Sequence, residues 1–449
     1  MSAPDRLKQT IKQALRKTIN GRSAAVADAE RTRAEAEPPD ALPGPLHGLT
    51  VLDLSRVLAG PWASQILGDL GAEVWKIERP ETGDDTRSWG PPFVQGPDGP
   101  SDAAYYLCAN RNKRSVAIDF GTPEGAALVR RLAERADIVV ENFKTGALAR
   151  HGLDYAALSA VNPGLIYCSV TGFGQTGPYA ARGGYDFLIQ GMSGLMSVTG
   201  RPDDEPGAGP IKVGLPVSDL FTGLYAATAI LAALHHRTAT GEGQHIDCAL
   251  LDSQVAVLVN QGMNHIVGGL TPGRLGNSHP NVVPYREFRT ADGHVLVACG
   301  NDGQFRSLCG LLNLPELAAD PRFRDNVGRL RDRRELEATL GAAIRQWTSA
   351  DIFAAMEAGG VPGGPINRID QILADPQVAA RGLLKRMERS DGTPVTVIGY
   401  PSRLSRTPAT YRIAPQTLGE ATADVLGLLG LDEAERATLR EKGIIRDGR

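Results

Sequence analysis

Short apolar runs alternate with amphipathic stretches through the first half of the chain. LTVLDL (Leu49 to Leu54) and AEVWKIE (Ala72 to Glu78) read as buried strands, separated by a helical stretch from Pro61 to Leu70. SVAIDF follows, then a helix from Thr122 to Arg135, opened by Thr122 with Pro123 at its first position. DIVVEN and LIYCSV supply two more strands. This alternation predicts an α/β fold with a parallel sheet covered by helices. Its functional loops then belong at the C-terminal ends of the strands.

From Val217 the pattern turns helical, with one helix predicted near Ser218 to Arg237 and another near Asp247 to Val267. The loop residues TPGRLGNSHPN come next. YREFRTADGHVLVACG then reads as a hairpin turning at Asp292-Gly293. A mixed α and β stretch runs on to about Gly341, and another hairpin and helix follow Gly360. The first 45 residues stand apart. Leu7, Ile11, Leu15 and Ile19 lie on one face of a basic helical pattern from Asp5 to Asn20, with prolines 38, 39, 43 and 45 after it. The segment has no apolar core of a secretory signal and reads as a mobile tail.

At 449 residues the chain is too long for one ordinary core. A net charge of -3 argues against a nucleic-acid partner. The longest apolar stretch, Leu224 to Leu234, falls short of a membrane span. Five cysteines without CxxC spacing fit a reducing, cytoplasmic setting and no zinc site.

Phosphate-loop, dinucleotide, HExxH and GxSxG motifs are absent, so the chemistry rests on less generic residues. In KVGLPVSDLFTGLYAATAILAALHHR, Ser218 is placed to cap an apolar helix and Asp219 falls in its first turn, where the macrodipole favours a carboxylate. Gly214 and Gly223 allow a close approach there. Asp219 can be a nucleophile toward a thioester, or can merely stabilise the helix. Asp186, after Gly183, Gly184 and Tyr185, carries the same two readings. Arg56, Arg79, Arg87 and Asn142 follow predicted strands and suit phosphates or carboxylates.

The ordered blocks LDLSRVLAGPWASQILGDLGAEVWKIERPETGDDTR, NRNKRSVAIDF, ENFKTGALARHGLDYAAL, GYDFLIQGMSGLMSVTG, VGLPVSDLFTGLYAATAILAAL and GVPGGPIN resemble the class III CoA-transferase family. GDDTRSWGPPF, YYLCANRNKRSV, VVPYREFRTADG and GVPGGPINRIDQILADPQV are similar to its succinate–hydroxymethylglutarate (glutarate) subgroup. The resemblance implies that Asp219 is the nucleophile, that Tyr185 and Asp186 form an active-site pair, and that Val57, Arg79, Ile118, Asn142 and Arg150 contact CoA. Racemases of the family carry a histidine at the place of Tyr185, so transfer is expected rather than racemisation. A non-catalytic CoA-binding subunit is the other alternative. Two departures, Leu58 in place of a glutamine and GNSHPN (276–281) in place of a glycine-rich loop, argue against oxalate as acceptor.

The resemblance further implies a Rossmann-like large domain built from both chain ends, a small α+β domain, and an interlocked homodimer. The expected divisions are a tail at 1–45, large-domain segments at 46–245 and 346–449, and a linker with the small domain at 246–345. Succinyl-CoA is the expected donor and a C4 to C6 dicarboxylate the acceptor, with no metal and no permanently bound cofactor. A distal carboxylate needs a cation, for which Arg56, Arg87, Arg182 and Arg274 are candidates.

Overall fold

Strands and helices follow one another in the predicted rhythm. The elements are β1 (Thr50–Asp53), α1 (Ala59–Asp69), β2 (Glu73–Glu78), β3 (Arg114–Ile118), α2 (Pro123–Ala133), β4 (Ile138–Glu141), α3 (Tyr155–Val161), β5 (Ile166–Thr171), α4 (Asp186–Met192), α5 (Val217–Thr240), β6 (Gln244–Ala249) and α6 (Leu250–Ala256). The far end of the chain adds α7 (Thr422–Gly427) and β7 (Ile445–Arg446). The structure, a computed structural model, describes residues 44–97 and 99–448. The amphipathic pattern from Asp5 to Asn20 lies outside the described residues.

The seven strands stand in the order β7-β3-β2-β1-β4-β5-β6. All neighbours are parallel except β7, which pairs antiparallel with β3. Connections from β1 run outward in both directions, so the order reverses between β1 and β4. In open sheets of this kind a crevice opens there, beyond the C-terminal strand ends.

Alternating side chains on each strand feed two cores. Leu52, Trp75, Val116, Val139 and Tyr167 meet Leu128 and Leu132 of α2 and Val425 of α7. Val51, Val74, Ile138, Val140 and Ile166 meet Ala63 and Leu67 of α1 and Ala226 and Ile230 of α5. Burial on both faces explains why these strands read as continuous apolar runs.

The helix predicted from Asp247 begins instead as β6, with Ser169 opposite Asp247 and Thr171 opposite Ala249. The apolar spacing suited a helix, but the open edge of β5 takes up the first residues as a strand. Helical structure resumes in α6 and at Val259–Gly268. α5, at 24 residues, is by length and composition long and apolar enough to cross a membrane, which the count of uninterrupted apolar residues did not suggest. In the structure its buried side contributes to the sheet core.

Compact units divide at different positions from those expected. Residues 42–274 and 372–449 form the larger unit, and 275–371 are the described part of the smaller. β6 and α6 stay with the larger unit because β6 pairs with β5 and α6 lies against α5. The smaller unit holds a three-stranded antiparallel sheet of Tyr285–Arg289, His294–Ala298 and Gly363–Gly364. Its core joins Phe288, Val295 and Val297 to Phe305, Leu336 and Ile352 of the helices. The predicted hairpin is present there, its turn closed by Thr290 N–H donating to the Gly293 carbonyl at 2.9 Å.

Candidate active site

α5 begins at Val217, and Ser218 does not cap it. The Ser218 side chain is buried and its hydroxyl donates to Gln254 Oε1 at 2.8 Å. The cap comes from another helix: Asp186 Oδ1 accepts the Ser218 N–H at 2.8 Å, and Asp186 Oδ2 accepts Gln190 Nε2 at 2.6 Å. Asp186 thereby fixes the start of α5.

Asp219 follows in the first turn. One turn later, a Cβ on Gly223 would come within 2.7 Å of the Ala59 carbonyl oxygen, so α5 crosses the first turn of α1 at backbone distance. Gly214, by contrast, faces open space. The crossing brings Asp219 beside the N-terminus of α1, whose Leu58 cap offers no side chain to the free N–H groups. Asp219 is half-buried, with no hydrogen bond or ion pair among the described residues. Burial, reinforced by the charge of Asp186, pushes its carboxyl up to about 7.

Asp219 lines a cavity of about 380 Å³ together with Val57, Leu58, Asn142, Gly172 and Tyr185. Four cations share that wall: Arg56, Arg79, Lys144 and Arg182. A second cavity of about 230 Å³ shares Arg56, Arg79 and Phe143 with the first and extends past Ile118 and Phe120 to Arg150.

The crevice between β1 and β4 is held from both sides. The Asn142 side chain accepts the Arg56 N–H at 2.9 Å and donates to the Arg56 carbonyl at 2.6 Å. Val57 adopts φ 69°, a left-handed conformation that a β-branched residue adopts only under constraint. Its N–H is shared between the two Asp84 oxygens at 3.3 and 3.2 Å. Lys76, buried with Asp84 at 2.9 Å, also donates to the Ser55 carbonyl at 3.0 Å. Burial would raise the Asp84 carboxyl, but Lys76 and the Thr86 N–H and hydroxyl bring it down to about 2.

The two cavities thus bring together Asp219, Tyr185, Val57, Arg79, Ile118, Asn142 and Arg150, along with Arg56 and Arg182. Asp186, Arg87 and Arg274 line neither. Arg87 is buried between Glu78 and Asp102, at 2.7 Å from each. Arg274 is paired with Asp203. Arg56 is paired with Asp85 at 2.8 Å, whereas Arg182 lies 3.9 Å from the Tyr179 ring centre with no carboxylate partner among the described residues.

Sequence reading overlooked Lys144 and Tyr105. Lys144 sits in the ENFK block, directly after the DIVVEN strand, and its position was a usable signal. Burial and then the charge of Asp219 push the Tyr105 phenol up to about 12. Tyr105 also meets Trp89 edge to face at 5.4 Å. Nothing in the sequence pattern shows that proximity, because it comes from α5 and residues over 110 positions earlier meeting in space.

Gly172 and Gly184 permit a further close approach: a Cβ on either would fall 2.6 Å from the other's Cα. Gly184→Ala is expected to push the backbone before Tyr185 away from Gly172 and to reduce kcat/KM by about 100-fold, by displacement on the order of 1 Å at the site. Steady-state kinetics on folded variant would check this.

A carboxylate without an ion pair among the described residues, in a cavity also lined by four cations at the switch point of a doubly wound sheet, suits an α/β enzyme acting on an anionic substrate. The chain belongs to CoA-transferase family III, whose sequence model matches residues 46–422. It is an enzyme that transfers CoA. It is 53% identical over 386 residues to the succinate–glutarate CoA-transferase of Agrobacterium fabrum, covering 86% of this chain and 96% of that protein. It is 41% identical over 402 residues to human succinyl-CoA:glutarate CoA-transferase, covering 89% of this chain and 90% of the human one. Among solved structures, a CaiB/BaiF family protein from Brucella suis superposes with a TM-score of 0.77 at 49% identity, covering 86% of this chain and all of that one.

Proposed function

We propose that this chain moves CoA from succinyl-CoA to a C4 to C6 dicarboxylate, with Asp219 as the covalent nucleophile. The observation that carries the reading is Asp219 itself: a carboxylate in the wall of the larger of these two cavities, with no ion pair among the described residues, beside the N-terminus of a helix without a side-chain cap. The substrate class rests on the relatives named as succinate–glutarate and succinyl-CoA:glutarate CoA-transferases.

An Asp219 oxygen attacks the thioester carbonyl, the C–S bond breaks, and CoA leaves as thiolate beside an aspartyl–acyl anhydride. The thiolate then attacks the aspartyl carbonyl, releasing the donor acid and leaving an aspartyl-CoA thioester. The acceptor carboxylate attacks that thioester, and the same two steps run in reverse onto the new acid. No net proton is taken up, and one thioester replaces another, so no nucleoside triphosphate is required. Free N–H groups at the start of α1 are placed to stabilise the oxyanions.

Val57, Arg79, Ile118, Asn142 and Arg150 are assigned to CoA, laid along the two adjoining cavities. Tyr185 borders the reacting centre, and Asp186 acts by holding the start of α5. Arg182 and Arg56 are the arginines placed to meet a distal carboxylate. CoA is a substrate rather than a resident cofactor in this scheme.

The same reading includes a homodimer. Tyr185 is 68% exposed beside the site, and Phe187, Leu224, Val259 and Ile266 expose apolar surface on nearby helices of the same unit. Sedimentation is expected to give twice the 47.7 kDa chain mass, and a monomer at working concentration would remove the dimer. Five free cysteines, four of them buried, support a reducing cytoplasmic location. The decisive experiment is a donor–acceptor screen with succinyl-CoA and a panel of dicarboxylates, with hydroxylamine trapping during turnover. Label on Asp219 is expected; turnover with that residue unlabelled would overturn the assignment.

A further inference from the structure

Six acidic side chains are buried in the larger unit among the described residues: Asp53, Asp69, Glu78, Asp84, Asp102 and Glu141. Five have a cation in contact. Lys113 meets Asp53, Arg111 meets Asp69, Arg87 meets both Glu78 and Asp102, and Lys76 meets Asp84. Glu141, 5% exposed at the C-terminal end of β4, has none. An uncompensated buried carboxylate is costly, and such groups concentrate at working sites.

The bonds of Glu141 lead to the cavities. Its Oε2 accepts the Phe143 N–H at 2.8 Å. Phe143 walls both cavities and lies 5.8 Å from the Arg56 guanidinium, and the intervening Asn142 clamps the Arg56 backbone. On its other side Glu141 lies opposite Ser169 of β5, whose hydroxyl favours the ionised carboxylate and lies 2.9 Å from His245 Nε2 on β6. The His245 ring stacks on Tyr155 of α3 at 5.1 Å and is exposed, so the line runs from the crevice to solvent.

We propose that Glu141 is a positioning residue for acyl-CoA binding: when ionised it holds the turn at 142–144 in the shape that walls the crevice, and protonation by way of Ser169 and His245 loosens it. This rests on the CoA-binding reading above. Burial raises the Glu141 carboxyl to about 7, against the opposing effects of the Ser169 hydroxyl and the Phe143 N–H. The other titratable groups around it are Tyr167 and Cys168 of β5, both pushed upward first by burial and then by neighbouring acidic charge that includes Glu141, and His245 of β6, held down by burial. With the folded value raised, the ionised form dominates above about pH 7 and is lost as pH falls through it. CoA affinity therefore declines on the acid side.

The test measures the Kd of free CoA by calorimetry in an Asp219→Asn background, which removes the nucleophile's own titration. Binding is expected to weaken about 10-fold from about pH 8 to about pH 6, and less than about 3-fold in Asp219→Asn/Glu141→Gln, which keeps the size and acceptor of the side chain but cannot ionise. Equal pH dependence in the two proteins would overturn the proposal, since the phosphates of CoA and His245 titrate in both. Ser169→Ala, tested in the same background, removes a hydroxyl that favours the charged form and is expected to move the transition to higher pH; an unmoved transition also counts against Glu141. If CoA bound neither protein nor the parent chain, the CoA reading would fail instead, a separate result.

Discussion

Asp219→Ala is expected to lower kcat for CoA transfer by about 10⁴-fold or more, because in the proposed mechanism this residue carries both the anhydride and the thioester. The same substitution should make the folded protein more stable at neutral and alkaline pH. An unfolded aspartate titrates near 3.9, whereas Asp219 in the fold titrates at about 7, raised by burial and by Asp186. Its ionisation therefore costs stability. The cost is absent below about pH 4, grows as pH rises towards 7, and is constant above that. A shift of this size corresponds to about 4 kcal/mol for a fully buried group, and solvent reaching Asp219 through the cavity reduces it to about 1–2 kcal/mol. Chemical denaturation at about pH 5 and about pH 8 should show the variant gaining clearly more at the higher pH. In the parent protein, transfer should fall as pH drops through about 7, because the protonated acid is not a nucleophile. Activity retained by the alanine variant, or a stability gain present equally at both pH values, would contradict this account.

Arg87→Ala should produce the largest loss of stability among the four arginines considered for a substrate carboxylate. Arg87 is 7% exposed, pairs with Glu78 and Asp102, donates to the Tyr106 hydroxyl at 2.6 Å, and sits 3.7 Å from the Tyr106 ring centre. Removing it leaves two buried carboxylates, and breaking buried pairs by truncating one partner costs about 3–5 kcal/mol. Asp102 keeps Arg389, so Glu78 bears most of the loss. Arg56→Ala makes the instructive contrast. Its side chain is 38% exposed and pairs with Asp85 at the surface, a contact contributing less than about 1 kcal/mol. Urea midpoints should separate the two variants clearly, with Arg87→Ala strongly destabilised and Arg56→Ala little changed. Kinetics should separate them in the opposite sense, because Arg56 lines both cavities and Arg87 lines neither. Wild-type-like stability for Arg87→Ala would mean that the buried network does not hold the turn at 79–88.

The strands were legible because each is buried on both faces and so reads as a short, mainly apolar run with turn residues after it. β1, β2 and β4 fall within the predicted runs, and β3 and β5 overlap theirs with one residue, Arg114 and Thr171, beyond. Thr122 and Pro123 marked the start of α2 for an equally local reason, the Thr122 hydroxyl accepting the Gly125 N–H at 3.1 Å. β6 was hidden, because six residues at the edge of a sheet carry a pattern that also fits a helix and only pairing with β5 decides between them. The cap of α5 was assigned to Ser218 for want of any view of Asp186, 32 positions earlier, which reaches its N–H.

The chain's residues alone determined the family, the alternating α/β rhythm, and Asp219 as the candidate nucleophile, since these depend on neighbours in sequence and on ordered blocks of residues. Tertiary structure decided which cations face the crevice, because Arg56, Arg87, Arg182 and Arg274 are chemically identical until burial and partners distinguish them. It also decided that, among the described residues, Asp219 and Glu141 lack a cation partner while Asp53, Asp69, Glu78, Asp84 and Asp102 have one. Charge compensation is a property of distance in space, and the distances here join residues that lie far apart along the chain.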